Sequence, residues 1–138
     1  QINKMIEVTC AIIISHKKVL AVQRSEVMDM PNCWEFPGGK ILPNETPSNC
    51  VVREIEEELY ILVQPIQQLT PVVHQYPQKT IKLIPFICEL KSGTIQLIEH
   101  QAFKWCSPHE LKSLDWSAAD VMILNELLSV IDLLLSNK

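Results

Sequence analysis

The sequence predicts an α/β fold: a mixed β-sheet covered on both faces by helices. Two observations carry this reading. Strand-like segments rich in β-branched residues lie on both sides of one acidic helix, and the chain closes on a long apolar helix that needs a sheet to pack against. At 138 residues, 47% of them apolar, the chain is long enough for one domain with a single substantial core over residues 1–138, with residues 1–6 as a flexible lead.

Val8 to Ser15 and Val19 to Arg24 are apolar and β-branched, and the Ser15-His16-Lys17-Lys18 stretch between them reads as a hairpin. Ser25 to Cys33, with Pro31 and Asn32, reads as a loop leading into Trp34-Glu35-Phe36-Pro37-Gly38-Gly39. From Thr46 to about Tyr60 the chain reads as a helix: Thr46 is an acceptable N-cap, Pro47 suits the first helical position, and neither Gly nor Pro interrupts the run from Ser48 onward. Further strands are expected at about Gln67 to Tyr76, Thr80 to Leu90 and Ala102 to Cys106, with Pro85 marking an edge strand or a bulge. Ser107-Pro108-His109-Glu110 has the capping-box pattern, so a short helix is expected after it. The last helix, about Ala118 to Leu135, places apolar residues at 121, 124, 127, 128, 131 and 135.

A net charge of −4 argues against a general nucleic-acid surface, which needs an excess of Lys and Arg, so no nucleic-acid polymer is expected as a partner. The 5 cysteines are odd in number and form no Cys-x-x-Cys pair. Neither a disulfide framework nor a zinc site is suggested, and a reducing cytoplasm fits best. The run Val8 to Ile14 comes after Glu7 and is too short to span a bilayer, so it reads as a strand and no membrane is expected.

The acidic helix carries the chemistry. Val51, Val52, Ile55 and Leu59 share an apolar arc, while Glu54, Glu57 and Glu58 gather within roughly 100° on another. Like charges at this spacing cost a few tenths of a kcal/mol each, and Glu57 and Glu58 lie toward the negative end of the helix dipole. A hard divalent cation reverses the sign, because Mg²⁺ prefers carboxylate oxygens and keeps positions open for water and phosphate. A merely solvated acidic face is the plain alternative.

Gly39, Glu45, Arg53, Glu54, Ile55, Glu57, Glu58 and Ile61 match, residue for residue and at the same spacing, the signature that the run resembles: that of the Nudix hydrolases. One position departs, since Tyr60 stands where the family pattern has Gly; a different exit from the helix or a longer last turn is expected there. The flanks are similar to the MutT-type branch, which includes oxidised-guanine and cytidine triphosphate pyrophosphohydrolases. Those flanks are Arg24 at the end of the second strand, Trp34 to Lys40 before the helix, Tyr76-Pro77-Gln78-Lys79, Glu99 six residues before Trp105, and Ala119-Asp120 in place of an Ala-Asn pair.

This resemblance implies an α/β/α sandwich and a metal-dependent enzyme that converts a nucleoside triphosphate and water into the monophosphate and pyrophosphate. Oxidised dGTP or cytidine-type nucleotides would be its substrates, in nucleotide-pool sanitation and DNA repair. A non-catalytic nucleotide-binding module on the same fold, or a Nudix enzyme for another nucleoside diphosphate derivative, are the rivals. Gly38 through its carbonyl, with Glu54, Glu57, Glu58 and Glu99, would hold Mg²⁺, with Mn²⁺ as a substitute. Glu54, Glu57 and Arg53 form the implied catalytic set, and either Glu54 or a Glu outside the helix would take the water's proton. Arg53 also fits a role orienting the glutamates through bidentate hydrogen bonds, Glu57 lying at i,i+4; Glu45 reads as supportive and Glu56 as surface. Arg24, Glu35, Phe36, Pro37, Gly38, Lys40, Tyr76, Lys79 and Asp120 would contact the substrate. Near a helix start Asp120 is expected to stay ionised, either as a capping partner of Ser117 or as an acceptor for amino and imino donors of a base. Phe36 and Trp116 suit base stacking and core packing equally. A monomer or homodimer is expected.

Overall fold

His16 and Lys17 both adopt left-handed backbone, with φ of 50° and 63°. A two-residue turn of this kind matches the twist of paired strands, and it joins β1 (Met5–Ser15) to β2 (Lys18–Gln23). In this computed structural model, which describes residues 4–136, the chain continues through β3 (Trp34–Glu35), β4 (Gly38–Lys40), α1 (Pro47–Leu59), β5 (Ile61–Gln68), β6 (Val72–Tyr76), β7 (Lys79–Gly93), β8 (Ala102–Cys106), α2 (Pro108–Ser113) and α3 (Ala118–Leu135).

The strands form one sheet ordered β3-β2-β1-β7-β5, with β4 also on β1, β6 on β7 and β8 on β2. β1 and β7 run parallel from Met5 opposite Thr80 to Ile14 opposite Glu89, and the other pairs are antiparallel. The sheet is therefore mixed, as expected. Successive side chains of β1 point to opposite faces. Ala11 and Ile13 pack with Val51, Ile55 and Leu59 of α1, while Cys10, Ile12 and Ile14 pack with Ile123, Leu127 and Ile131 of α3. The expected single core is thus two apolar layers with the sheet between them, which is why β1 reads as an unbroken apolar run.

Both predicted N-caps form. Thr46 accepts from the Asn49 N–H, and Ser107 and Glu110 complete a capping box. Four expectations need correction. Residues 61–68 form β5 directly after the helix, although Pro65 and its glutamines suppress the strand pattern; irregularities at Leu62/Val63 and Pro65/Gln67 absorb the proline. Pro85 lies in the interior strand β7 rather than at an edge. It falls where the neighbour changes from β5, ending at Phe86, to β6, starting at Leu83, and its carbonyl accepts from the Leu69 N–H. A missing N–H costs little at such a gap. Met5 and Ile6, assigned to a flexible lead, already pair with β7, while residues 1–3 of that lead lie outside the described residues. Tyr60 leaves the helix in the left-handed conformation, φ 61° and ψ 31°, with its N–H on the Glu56 carbonyl. The family's glycine geometry is kept without the glycine, because β5 begins at the next residue.

Among the described residues, no helix is long and apolar enough to cross a membrane. All 5 cysteines are free.

Candidate active site

β1 shares one edge between two partners: β2 pairs with it at Ile14 and Ser15, and β4 at Val8 to Cys10. The segment Trp34 to Lys40 links β3 on the β2 side to β4 and crosses toward α1. The Pro37 carbonyl accepts from the Ala11 N–H in the middle of this crossing. A Cβ on Gly38 would lie 2.0 Å from the Thr9 carbonyl oxygen, and one on Gly39 would lie 2.1 Å from Glu54 Oε2. Only glycine lets this strand sit against both β1 and a helix carboxylate.

Arg53 is the hub of the helix face. Its Nε and Nη2 donate to Glu45 Oε2 and Oε1 at 2.6 and 2.9 Å, its Nη1 donates to Glu54 and Glu57 at 3.0 and 3.1 Å, and Nη2 also reaches the Lys40 carbonyl at 3.1 Å. The Arg53 fork, followed by the Leu42 N–H, holds the Glu45 carboxyl down at about 2. In return, Glu45 raises the pKa of the guanidinium. Glu56 is exposed, as expected.

The three face glutamates have different surroundings. Glu57 is 59% exposed and Glu54 only 16%, and burial pushes the Glu54 carboxyl up. Glu58 is the extreme case: its Oε2 is buried without a hydrogen-bond partner. Burial first, and then the charges of Glu54, Glu35, Glu99 and Glu57, push its carboxyl up to about 9. Among the described residues, no three His, Cys, Asp or Glu side chains converge closely enough to cage an ion; Arg53 bonds two of the three face glutamates instead. The donor chemistry still fits a hard divalent cation, because an orphaned carboxylate oxygen surrounded by like charges is the group that such an ion satisfies.

Glu58 and the exposed Glu99 line a cavity of about 220 Å³ together with Thr9, Gly38, Arg24, Glu35 and Asp120. Arg24, Glu35 and Asp120 also line the adjoining, wider cavity of about 610 Å³, where Tyr76, Gln78, Lys79 and Ala119 complete the wall. One helix carboxylate, Glu58, thus meets most of the predicted substrate residues in one place, while Glu54 and Glu57 line neither cavity. Lys40 and Pro37 are the exceptions: Lys40 is exposed on β4, Pro37 is buried, and neither lines a cavity.

Asp120 departs from expectation. Its Oδ2 accepts from the Ser117 hydroxyl at 2.6 Å and its Oδ1 from the Phe36 N–H at 3.1 Å, so Ser117 is no side-chain cap. Burial, then the charge of Glu35, pushes the Asp120 carboxyl up to about 7 rather than leaving it securely ionised. A proton on this carboxyl would add a donor to a group whose oxygens otherwise only accept. Phe36 and Trp116 pack on each other with centroids 4.6 Å apart; both are buried in the α3 layer, and the Trp116 Nε1 donates to the Leu111 carbonyl. Both rings pack in the core, and Phe36 also lines the smaller cavity. The Tyr76 hydroxyl accepts from the Ala119 N–H at 3.3 Å, tying β6 to the start of α3.

Sequence reasoning passed over His100. The imidazole is buried, and its Nε2 lies 2.7 Å from Glu35 Oε2. A lone histidine beside Glu99 offers no periodic or motif signal, so only its fold-level partner reveals it.

A NUDIX domain family model matches residues 4–125. The chain is 35% identical over 127 residues to the CTP pyrophosphohydrolase of Escherichia coli (strain K12), covering 92% of this chain and 94% of that one. It is 34% identical over 96 residues to the 8-oxo-dGTP diphosphatase of Buchnera aphidicola subsp. Acyrthosiphon pisum, covering 70% and 77%. The solution structure of the E. coli ORF135 protein superposes with a TM-score of 0.80 at 35% identity, covering 93% of this chain and 91% of that one.

Proposed function

The chain belongs to the NUDIX family, and from that premise we propose that it is a nucleoside triphosphate pyrophosphohydrolase, turning an NTP or dNTP and water into the monophosphate and pyrophosphate. The observation that carries this reading is the continuous site in which Glu58 and Glu99 lie at one end, Tyr76 and Lys79 at the other, and Arg24, Glu35 and Asp120 line both. A triphosphate needs both: acidic groups for a cation at its anhydride bonds and a pocket for its base.

Members of this family use a divalent metal, and we assign Mg²⁺ here, with Glu54, Glu57, Glu58, Glu99 and the Gly38 carbonyl as its holders. When bound, such an ion neutralises phosphate charge and acidifies water. Arg53 fixes Glu54 and Glu57 in orientation through its fork, and Glu45 anchors that fork. Glu54, pressed against Gly39, is in this reading the base that accepts the proton of the attacking water. Arg24 and Lys79 offset substrate charge in a chain whose net charge of −4 opposes it.

Glu35 and Asp120 present acceptors to the base, which favours an amino edge such as cytosine N4, and the relative named CTP pyrophosphohydrolase supports a cytidine-type substrate. Oxidised dGTP is the competing substrate, supported by the 8-oxo-dGTP diphosphatases among the relatives and by the ability of a neutral Asp120 to donate to a carbonyl. Pool sanitation is the role either substrate implies. Pyrophosphate release from canonical, oxidised and methylated triphosphates with Mg²⁺ or Mn²⁺ tests the reading. Turnover of one or more with monophosphate as co-product is expected; no turnover of any member refutes it.

A further inference from the structure

His100 is the one buried histidine among the described residues, its side chain 2% exposed. Its Nε2 lies 2.7 Å from Glu35 Oε2, and the other Glu35 oxygen accepts from Arg24 Nη1 at 2.9 Å. With one oxygen committed on each side, the Glu35 carboxylate cannot swing about its terminal torsion. An ionised carboxylate only accepts, so this pairing calls for the proton to sit on Nε2. Nδ1 is buried without a partner, a cost that apolar packing alone would avoid by using a phenyl or aliphatic group.

The chain around His100 is tied down as well. The Gln101 N–H donates to the Gln23 carbonyl at 3.0 Å and its side-chain amide to Asn32 Oδ1 at 2.8 Å, so the stretch after Glu99 is fastened to the end of β2 and to the loop before β3. His100, 65 positions from Glu35, therefore joins two distant parts of the site: Glu99, its immediate neighbour, and Glu35, which lines both cavities.

We infer that His100 is a positioning residue for substrate selection: its ring holds Glu35 in one orientation toward the base and fixes that carboxylate relative to the Glu99 segment. The inference rests on the nucleotide reading above but is tested separately from it. His100→Phe keeps the ring volume and loses the N–H, whereas His100→Gln gives up the ring and keeps an amide N–H of similar reach.

The Phe variant is expected to raise KM for the preferred triphosphate about tenfold or more and to narrow the preference between bases by a similar factor, with kcat changed less than about threefold; the Gln variant restores both. A packing role predicts the opposite order, with Phe near wild type and Gln impaired, and would overturn the inference. So would a Phe variant whose KM and base preference are unchanged. Imidazole ¹H–¹⁵N correlation spectra of the metal-free wild-type chain supply a readout independent of turnover. A slowly exchanging Nε2–H with an unprotonated Nδ1 is expected, and an Nδ1–H tautomer overturns the inference. Absence of turnover in the wild type would sink the nucleotide reading while leaving that spectral test in force.

Discussion

Replacing Glu58 by Gln should stabilise the metal-free protein at neutral pH and remove most of its response to divalent metal. The Glu58 carboxyl is pushed up to about 9 from 4.5, so between those values the folded chain keeps a proton that the unfolded chain has lost. Stability therefore falls as pH rises through that window. The stability lost relative to the fully protonated state is about 3 kcal/mol at pH 7 and under about 1 kcal/mol at pH 5. Gln has nearly the same shape, carries no charge to desolvate, and turns an N–H₂ toward the carboxylates that surround position 58. With an unfolding entropy of about 2.1 cal/mol/K per residue, the change at pH 7 amounts to about 10 °C in Tm for a chain of 138 residues. The assay is thermal unfolding of wild type and variant in chelator at pH 5, 7 and 8, repeated with saturating Mg²⁺ or Mn²⁺. The gap between the two proteins should widen with pH in chelator and close, or reverse, when metal stabilises the wild type alone. A variant that melts with wild type at pH 7 without metal, or a gap that does not grow between pH 5 and 8, would refute the reasoning.

Tyr60→Gly should raise stability by about 0.5–1 kcal/mol, some 2–3 °C in Tm, because it relieves a left-handed Tyr at the cost of greater unfolded-chain entropy; Tyr60→Ala, which keeps a Cβ, should bring little gain in the same melting experiment. Arg53→Lys should lower kcat/KM about 10–100-fold with the circular dichroism spectrum retained, since one ammonium cannot serve Glu45, Glu54, Glu57 and the Lys40 carbonyl together. For Asp120→Asn, the Asn carbonyl can take the Phe36 N–H and its amide can donate to the Ser117 hydroxyl, so the fold should persist. Because the Asp120 carboxyl is raised from 3.8 to about 7, wild-type stability falls with pH across that window, and the variant should show a shallower slope there in denaturant titrations. Its base preference should move toward substrates presenting a carbonyl, read from the relative kcat/KM of oxidised-guanine and cytidine triphosphates.

Much of this protein is written locally in its sequence. Helix α1 was legible because its start lies in Thr46-Pro47, its buried stripe in Val51, Ile55 and Leu59, and its chemistry in glutamates spaced for one face; each is a relation among residues a few positions apart. The α3 helix and the β1–β2 hairpin were legible for the same reason. Strand β5 was not, because Pro65 and the glutamines break the local pattern and only pairing with β7 holds the segment extended. The interior place of Pro85 likewise depends on where β5 ends and β6 begins.

The candidate site divides along the same line. Sequence by itself determined the acidic helix, the Gly38-Gly39 turn and the family to which they belong, since backbone preference and side-chain spacing act over short range. Only the tertiary structure decided that the Glu58 Oε2 is buried while Glu57 is exposed, that Asp120 bonds the Phe36 N–H 84 positions away, and that His100 pairs with Glu35. Desolvation and charge coupling depend on which distant groups surround an atom, and no local pattern carries that information.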